Sequence, residues 1–342
     1  MMAISVPVVR SSGAEASTNV PSMNVLLIGL GRWGEKHLRV LRQLGVTLWV
    51  ADVSPARLDW AVGQGVDARR AVTDYRTVLG LVDAADIVTP ADQHFPIAHQ
   101  CLAAGLGCFI EKPLAGTVDE GRALDMAARA ARRFIQVGHI FRFHPVTATL
   151  REALRGELIG RIRYATARFS GFKRPRADVG VTHTDAIHYF DLFAHLFARE
   201  ATRVSALQRD YLGRGLDDAS WTVVHYDDIP AVIEASYFVP GTWRDSLIVG
   251  DRGALVADYA ASTVTLHRGL HLDRGGTWEA LDNGKEELPT GRDEPLLLEL
   301  QAFLDGCRGQ GPNLVPAADG VRALAVAEAA ARASQLGRTV RL

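Results

Sequence analysis

The sequence predicts an α/β protein in which a doubly wound parallel sheet precedes an α+β domain with a mostly antiparallel, open sheet. Apolar runs alternate with helical patterns over residues 24–143, which is typical of parallel strands joined by helices. Beyond residue 144, several β-like runs follow one another without an intervening helix, which favours antiparallel pairing. Two helical patterns, near 293–308 and 317–336, close the chain.

The elements of each domain follow their hydrophobic patterns in order. In the first domain, strands are predicted at 24–28, 47–51, 85–89, 107–110 and 134–137, with helices after residue 34, over 94–104 and ending near 133. In the second domain, helices are predicted at 146–155 and 182–197, and strands at 161–170, 202–208, 220–226, 231–238, 246–249 and 263–267.

Length and charge limit the classes of function. A chain of 342 residues suits two domains, and we assign 1–22 to a disordered extension, 23–143 to the first domain and 144–342 to the second. The formal net charge of -1 gives no general reason to bind nucleic acid or a membrane surface. Because no apolar run is long enough to span a bilayer and residues 1–22 make a poor secretory signal, we expect a cytoplasmic protein that acts on a small molecule.

A glycine turn follows the first strand. Its residues are Gly29, Leu30, Gly31, Arg32, Trp33 and Gly34. Gly29 permits the tight turn, Gly31 lets the backbone approach a pyrophosphate, and Gly34 allows the next helix to pack closely on the strand. The N-terminus of that helix offers unpaired N–H groups to the anion. With strand, turn and helix in this order, we predict that Gly29 to Gly34 bind a dinucleotide.

An acidic residue, Asp52, closes the second strand. At this position a carboxylate accepts hydrogen bonds from the adenosine ribose hydroxyls and repels a 2′-phosphate, so NAD is favoured over NADP as the cofactor. Arg57 leaves the alternative open, since its side chain could swing toward such a phosphate.

The ends of two further strands are expected at the same crevice, because the ligands of such sheets lie at the carboxyl ends of the strands. The strand at 85–89 and the strand at 107–110 both end in polar residues or proline. The residues predicted to complete the cofactor site are Thr89, Pro90, His94, Glu111 and Lys112.

The run Glu111-Lys112-Pro113-Leu114-Ala115 resembles the glucose-fructose oxidoreductase, inositol dehydrogenase and MocA family of NAD(P)-dependent oxidoreductases. The likeness extends from the glycine turn to at least Asp191 and includes the segment 180–191. The resemblance implies that Lys112 lies beside the nicotinamide and the reacting hydroxyl, and that His188 is an acid/base on the first long helix of the second domain. It also implies a homodimer or homotetramer formed through the open sheet.

Within that family, the sequence is most similar to nucleotide-sugar oxidoreductases such as the UDP-N-acetylglucosamine 3-dehydrogenases. The runs that carry this similarity are 137–145, 156–160 and 178–181, with Ile187 and His188. These relatives usually have Asn at the position of His144 and Asp at the position of Thr184, four residues before the histidine. Asp185 shares a helix face with His188 and is a candidate to orient its ring; the alternative is a first-turn acid favoured by the helix dipole.

A cationic loop, residues 171–176, lies between a strand and the helix that carries His188. Its lysine and arginines suit the pyrophosphate of a UDP-sugar, although a solvated surface loop would have the same composition. The predicted substrate contacts are Arg142, Lys173, Arg174, Arg176 and Thr184.

Hydride transfer between a sugar carbon and NAD is the chemistry that these residues suit, with Lys112, His188 and Asp185 as the predicted catalytic residues. His183, Asp191 and His195 also allow a metal site, but apolar neighbours indicate an ordinary packing helix and the reaction needs no metal, so none is predicted.

The leading prediction is an NAD-dependent dehydrogenase that oxidises C3 of a nucleotide sugar such as UDP-N-acetylglucosamine. Three alternatives remain open: a free-sugar or inositol dehydrogenase, an NAD-assisted epimerase or glycosidase, and a dinucleotide sensor without catalytic activity. Departure from the family at Thr184 favours the sensor, whereas Lys112 and His188 argue against it.

Overall fold

The computed structural model describes residues 23–342, so the predicted extension at 1–22 lies outside the described residues. The first half of this part of the chain contains β1 (Asn24–Ile28), α1 (Gly34–Gln43), β2 (Thr47–Ala51), α2 (Pro55–Gly63), β3 (Ala71–Val72), β4 (Ala84–Ile87), α3 (Ala91–Ala103), β5 (Gly107–Glu111), α4 (Val118–Ala131) and β6 (Ile135–Gly138).

The second half contains α5 (Pro145–Arg155), β7 (Ile162–Gly171), α6 (Ile187–Phe197), β8 (Ala201–Arg209), β9 (Ala219–Tyr226), β10 (Ile229–Ser236), β11 (Thr242–Gly250), β12 (Gly253–Asp258), β13 (Thr263–Asp273), β14 (Trp278–Leu288), α7 (Pro295–Cys307), α8 (Ala317–Leu336) and β15 (Val340–Arg341). In the part of the chain that the structure describes, no helix combines the length and apolar character needed to cross a membrane.

The first sheet is parallel and six-stranded, in the order β3-β2-β1-β4-β5-β6. Apolar clusters cover both of its faces: Leu26 and Ile28 pack on one side, and Val25 and Leu27 on the other. Burial on both faces explains why its strands are continuous apolar runs rather than alternating ones. The predicted doubly wound sheet is confirmed, and the reversal of strand order between β1 and β4 places a crevice at their carboxyl ends.

The second sheet has nine strands in the order β14-β13-β12-β11-β7-β10-β9-β8-β15. Only β7 and β10 pair in parallel; every other neighbouring pair among the described strands is antiparallel. The prediction of an α+β domain with a mostly antiparallel sheet is therefore confirmed. One face of the sheet packs on α5, α6 and α8, whose apolar residues join it in a single core.

Several elements differ from those expected. Helix α2 and the strands β3, β12 and β15 were not predicted. Strand β14 was not predicted, because it is exposed almost throughout and pairs only with β13, so no burial imposes an alternating pattern on it. The helix expected at 182–197 begins instead with a π-helical turn, Thr182–Ala186, which precedes α6 and changes the direction of the side chains just before His188.

Helix α7 returns to the first sheet although it follows the second in sequence. Leu296, Leu300 and Phe303 belong to the same core as Val25 and Leu27. The division at residue 143 remains a prediction, and this packing makes the two halves share a core at the base of the crevice.

Candidate active site

The glycine turn has the geometry that a bound pyrophosphate requires. Gly29 has φ +97°, and a Cβ there would lie 2.6 Å from the carbonyl oxygen of Val88. A Cβ on Gly34 would lie 2.1 Å from the carbonyl oxygen of Gly29, so the start of α1 is pressed against the turn. By contrast, a Cβ on Gly31 would meet nothing within 4 Å. The turn thus leaves open space over Gly31, and both Gly31 and Arg32 are exposed there.

Asp52 is fixed against this turn. Its Oδ2 accepts the backbone N–H of Leu30 at 2.7 Å, and its Oδ1 accepts the N–H of Ser54 at 2.9 Å. Arg57 is also held: Nε donates to the carbonyl of Leu30 at 2.6 Å and Nη2 to Glu35 Oε1 at 2.6 Å. These contacts occupy Nε and Nη2 and hold the guanidinium near the turn.

His94 joins two strand ends rather than facing open space. Its Nδ1 lies 2.8 Å from the carbonyl oxygen of Pro113, and its Nε2 lies 2.9 Å from that of Thr89. The side chain is buried, and burial lowers its pKa. Pro90 directly precedes α3 and is exposed at the same edge. The structure thus places His94 as a link beneath the predicted cofactor residues Thr89 and Pro90.

Lys112 reaches across the crevice to the second domain. Its Nζ donates to the carbonyl oxygen of Thr184 at 2.5 Å. Burial lowers the pKa of Lys112 to about 8, against the opposing effects of the Asp185 and Glu111 charges. A substantial neutral fraction near neutral pH makes this amine suited to accept a proton from a hydroxyl group.

His188 packs against two aromatic rings that also contact each other, with 5.8 Å between the centroids of Phe141 and Phe169. The ring centroid of His188 is 4.9 Å from that of Phe141 and 5.0 Å from that of Phe169, with interplanar angles of 24° and 9°. Burial, followed by the charge of Lys112, holds the pKa of His188 well below its usual range. The imidazole is therefore neutral near pH 7. Packing against the aromatic rings, rather than a carboxylate, fixes the orientation of its ring.

Asp185 pairs with the cationic loop instead of His188. Its Oδ2 lies 2.7 Å from Nζ of Lys173, and the carboxylate is 4% exposed. Neither sequence interpretation of Asp185, as a ring-orienting acid or as a dipole-favoured acid, anticipated this partner. The hydroxyl of Thr184 lies 2.8 Å from that of Tyr237, so Thr184 faces a tyrosine with its side chain and Lys112 with its carbonyl.

The predicted substrate arginines are not equivalent. Arg142 is nearly buried, and its Nε donates to Asp191 at 2.8 Å while Nη1 donates to Asp319 at 2.6 Å, so this cation already has two acidic partners. Arg176 pairs with Asp178 through Nε at 2.8 Å. Arg174 is exposed and forms no ion pair with any residue in 23–342, which leaves it available to an anion.

Two residues near the site were not predicted from the sequence. Arg244 lies on β11 directly opposite Phe169 on β7, with its guanidinium carbon 3.5 Å from the Phe169 ring centroid. Tyr237 follows β10 and contacts Thr184. Both arrive through pairing of distant strands, so only the sheet register could have identified them. Among residues 23–342, no group of three His, Cys, Asp or Glu side chains is placed to hold a metal ion.

Comparison with known proteins agrees with this architecture. A family model described as "Oxidoreductase family, NAD-binding Rossmann fold" matches residues 23–139, and one described as "Oxidoreductase family, C-terminal alpha/beta domain" matches residues 151–342. UDP-N-acetylglucosamine 3-dehydrogenase of Acidithiobacillus ferrooxidans is 28% identical over 310 residues, covering 89% of this chain and 95% of that protein. Inositol 2-dehydrogenase of Acidothermus cellulolyticus is 33% identical over 251 residues, covering 68% and 72%.

Among solved structures, UDP-N-acetylglucosamine 3-dehydrogenase GnnA from Acidithiobacillus ferrooxidans aligns with a TM-score of 0.80 at 26% identity, covering 93% of this chain and 99% of that one. The aldose-aldose oxidoreductase from Caulobacter crescentus has the same fold, with a TM-score of 0.80 at 20% identity and coverage of 94% and 100%. The two family models together span almost all of the described chain, and the predicted oxidoreductase with a dinucleotide-binding domain is confirmed. The chain therefore belongs to the glucose-fructose oxidoreductase, inositol dehydrogenase and MocA (Gfo/Idh/MocA) family of oxidoreductases.

Proposed function

We propose that this protein is an NAD-dependent dehydrogenase of a sugar secondary hydroxyl, and that its substrate is a nucleotide sugar such as UDP-N-acetylglucosamine, oxidised at C3. The observation that carries the proposal is Lys112, an amine of lowered pKa at the crevice between a dinucleotide-binding turn and the second domain. His188 and the Lys173–Asp185 pair support it, because their charges and that of Lys112 act on one another.

The residues present fit a nicotinamide dinucleotide. The open space above Gly31 would accept the pyrophosphate, and Asp52 would accept the ribose hydroxyls. When bound, NAD supplies the acceptor for the hydride. Asp52 repels a 2′-phosphate, and Arg57 is already held by Leu30 and Glu35, which supports NAD over NADP.

Lys112 and His188 have different roles toward the sugar: Lys112 takes the hydroxyl proton, and His188 positions the sugar. A neutral Lys112 accepts the proton from the sugar hydroxyl while the C–H bond of the carbon that carries this hydroxyl breaks. The ammonium that forms then donates a hydrogen bond to the new carbonyl oxygen. The carbonyl of Thr184 holds Nζ in one direction while this happens. His188, neutral and packed against Phe141 and Phe169, helps to position the sugar.

The choice of a nucleotide sugar rests on the cationic loop and on similarity to the UDP-N-acetylglucosamine 3-dehydrogenase. Arg174 is the cation that needs no rearrangement to meet a pyrophosphate, because Lys173 and Arg176 already have acidic partners. That same pairing favours the second candidate function, a free-sugar or inositol dehydrogenase, to which the inositol 2-dehydrogenase relative also points.

The outer face of the second sheet supports the expected homodimer or homotetramer. Trp221, Val232 and Trp243 lie on three strands of this sheet and remain 38%, 43% and 38% exposed. An apolar patch of this kind on a sheet face is typical of a surface that another subunit covers.

A substrate panel tests the proposal. The purified protein would be incubated with NAD or NADP and with UDP-N-acetylglucosamine, free N-acetylglucosamine or myo-inositol, and formation of reduced nicotinamide would be followed by absorbance. We expect turnover with the UDP-sugar and NAD, and a loss of roughly 10²- to 10⁴-fold in Lys112→Met with NAD binding retained. Turnover with inositol alone would favour the second candidate.

Product analysis without added NAD covers the remaining alternatives. An epimerase or glycosidase would convert its substrate and return the cofactor unchanged, whereas a dehydrogenase would stop after one turnover of any copurified cofactor. Binding of NAD without a change in any sugar would refute the dehydrogenase and favour a dinucleotide sensor.

A further inference from the structure

The carboxylate of Glu111 bridges two parts of the candidate active site. Its Oε1 accepts the indole N–H of Trp33 at 2.6 Å, and its Oε2 accepts the backbone N–H of Lys112 at 3.1 Å. Trp33 belongs to the glycine turn, and Lys112 is the proposed proton acceptor. One side chain therefore connects the cofactor turn to the reactive lysine.

A buried imidazole lies beneath this bridge. His37, on α1, is completely buried, with Nδ1 2.8 Å from Asp86 Oδ2 and Nε2 3.3 Å from Glu111 Oε1. Nδ1 is hydrogen-bonded to Asp86, whereas Nε2 is within ion-pair distance of Glu111 without a well-oriented hydrogen bond, so His37 acts on Glu111 through its charge. Burial alone would lower the pKa of His37, but Asp86 and Glu111 outweigh it and raise the pKa to about 10.

Packing fixes the position of this cluster. A Cβ on Gly138 would lie 3.0 Å from Cδ of Glu111, so the carboxylate is pressed against β6. The His37 ring meets Phe109 edge-on at 5.5 Å. Neither Glu111 nor His37 has room to change rotamer without displacing these neighbours.

A third buried acid lies in the same region as Asp86 and Glu111. Glu299, on α7, is completely buried, and neither oxygen of its carboxyl is hydrogen-bonded within residues 23–342. Burial, followed by the charge of Glu111, raises the pKa of Glu299 well above its usual range, so this carboxyl is neutral. Because Glu299 carries no charge, the charged carboxylates that face the His37 imidazolium are those of Asp86 and Glu111.

We propose that His37 is a positioning residue: as an imidazolium it keeps Glu111 ionised and oriented, and Glu111 in turn holds the glycine turn and Lys112 at one fixed separation. The expected effect on kcat rests on the proposed function, because it acts through Lys112. The expected effect on NAD affinity concerns only the glycine turn and does not depend on which sugar is used. If His37 were purely structural, it would stabilise the domain without affecting kcat or NAD affinity.

Variants of the two partners separate these roles. His37→Gln removes the cation but keeps a hydrogen-bond donor, and Glu111→Gln keeps the shape but loses one of the two acceptor oxygens. Leu41→Ala is the matched control, because Leu41 is a fully buried residue of the same helix that lies in the apolar core. Dinucleotide affinity would be measured by calorimetry, kcat and KM by steady-state kinetics, and unfolding by urea titration.

The positioning role gives a distinctive pattern. Each single variant should weaken NAD affinity and lower kcat by about tenfold or more, since each breaks a charge-assisted hydrogen bond. The double variant should be no worse than Glu111→Gln alone, because His37 acts through Glu111. Leu41→Ala should lower the unfolding free energy while leaving affinity and kcat near wild type.

The contrary results are equally clear. If His37→Gln changes only stability, or if the losses of the two variants multiply, His37 does not act through Glu111 and the proposal is overturned. Should either variant fail to fold, Trp33→Phe removes the partly exposed end of the bridge and should produce the same loss of NAD affinity. If the wild type oxidises no sugar, the proposed function fails, whereas the affinity data still decide the role of His37.

Discussion

The lowered pKa of Lys112 predicts the pH dependence of the reaction. With the usual lysine pKa of 10.5, about one lysine in 3,000 would be neutral at pH 7; with a pKa of about 8, about one in ten is. Burial thus raises the concentration of the free base roughly 300-fold at pH 7. We expect kcat/KM for sugar oxidation to rise about tenfold per pH unit below pH 8 and to level off above it.

The assay is reduced-nicotinamide absorbance at saturating NAD in buffers from about pH 6 to 10. Lys112→Met should abolish the pH-dependent limb along with most of the activity. An inflection near the ordinary lysine pKa, or a flat profile between about pH 6 and 9, would refute Lys112 as a base of lowered pKa.

Two neighbours of Lys112 should move the inflection in opposite directions. The charge of Asp185 raises the pKa of Lys112, so Asp185→Asn should shift the inflection to lower pH. The charge of Lys173 lowers that pKa, so Lys173→Met should shift it to higher pH. Shifts of the same sign in both variants would show that packing changes, rather than charge, dominate.

Other predictions concern the cofactor turn and the buried cluster. Gly34→Ala should lower the unfolding free energy by roughly 3 kcal/mol because its Cβ meets the Gly29 carbonyl, whereas Gly31→Ala should fold normally but bind NAD at least about tenfold more weakly; urea titration and calorimetry separate the two. Asp52→Asn should raise the ratio of kcat/KM for NADP to that for NAD, since it removes the charge that repels a 2′-phosphate. The pKa of His37 is raised from 6.5 to about 10, so its stabilising effect is complete below pH 6.5 and is lost as pH rises through 10. Urea titration should therefore show a steeper fall in unfolding free energy over this window in the wild type than in His37→Gln.

Local patterns identified five of the six strands in the first sheet and missed the two-residue β3 and helix α2. Those strands are apolar runs bounded by turns, and the carboxyl-end rule placed the glycine turn, Asp52 and Lys112 at one edge of the sheet. Strand β14 had no such pattern, because it pairs only with β13 and most of its side chains face solvent. Sequence periodicity reports burial, so an unburied strand leaves little trace.

The partners of charged side chains were beyond the reach of sequence reasoning. Arg142 and the acid Asp319 are 177 residues apart, and they meet only because α8 returns beside α6. The composition of the 171–176 loop indicated a cluster of cations, and their role as substrate contacts stays a prediction. That composition could not indicate that Asp185 would pair with Lys173 across the π-helical turn. Ion pairs follow from tertiary approach rather than from spacing along the chain.

The position of Asp185 gives the departure from the family at Thr184 a physical meaning. An acid that oriented His188 would raise the pKa of the imidazole, yet the pKa of His188 is held low by burial and by Lys112. Two aromatic rings fix its plane instead. The carboxylate of Asp185 acts on Lys112 and Lys173, so here the acid adjusts the charge of the two lysines. Thr184, at a position where the resemblance implies Asp, therefore leaves that position without an acid, while Asp185 keeps negative charge in the site.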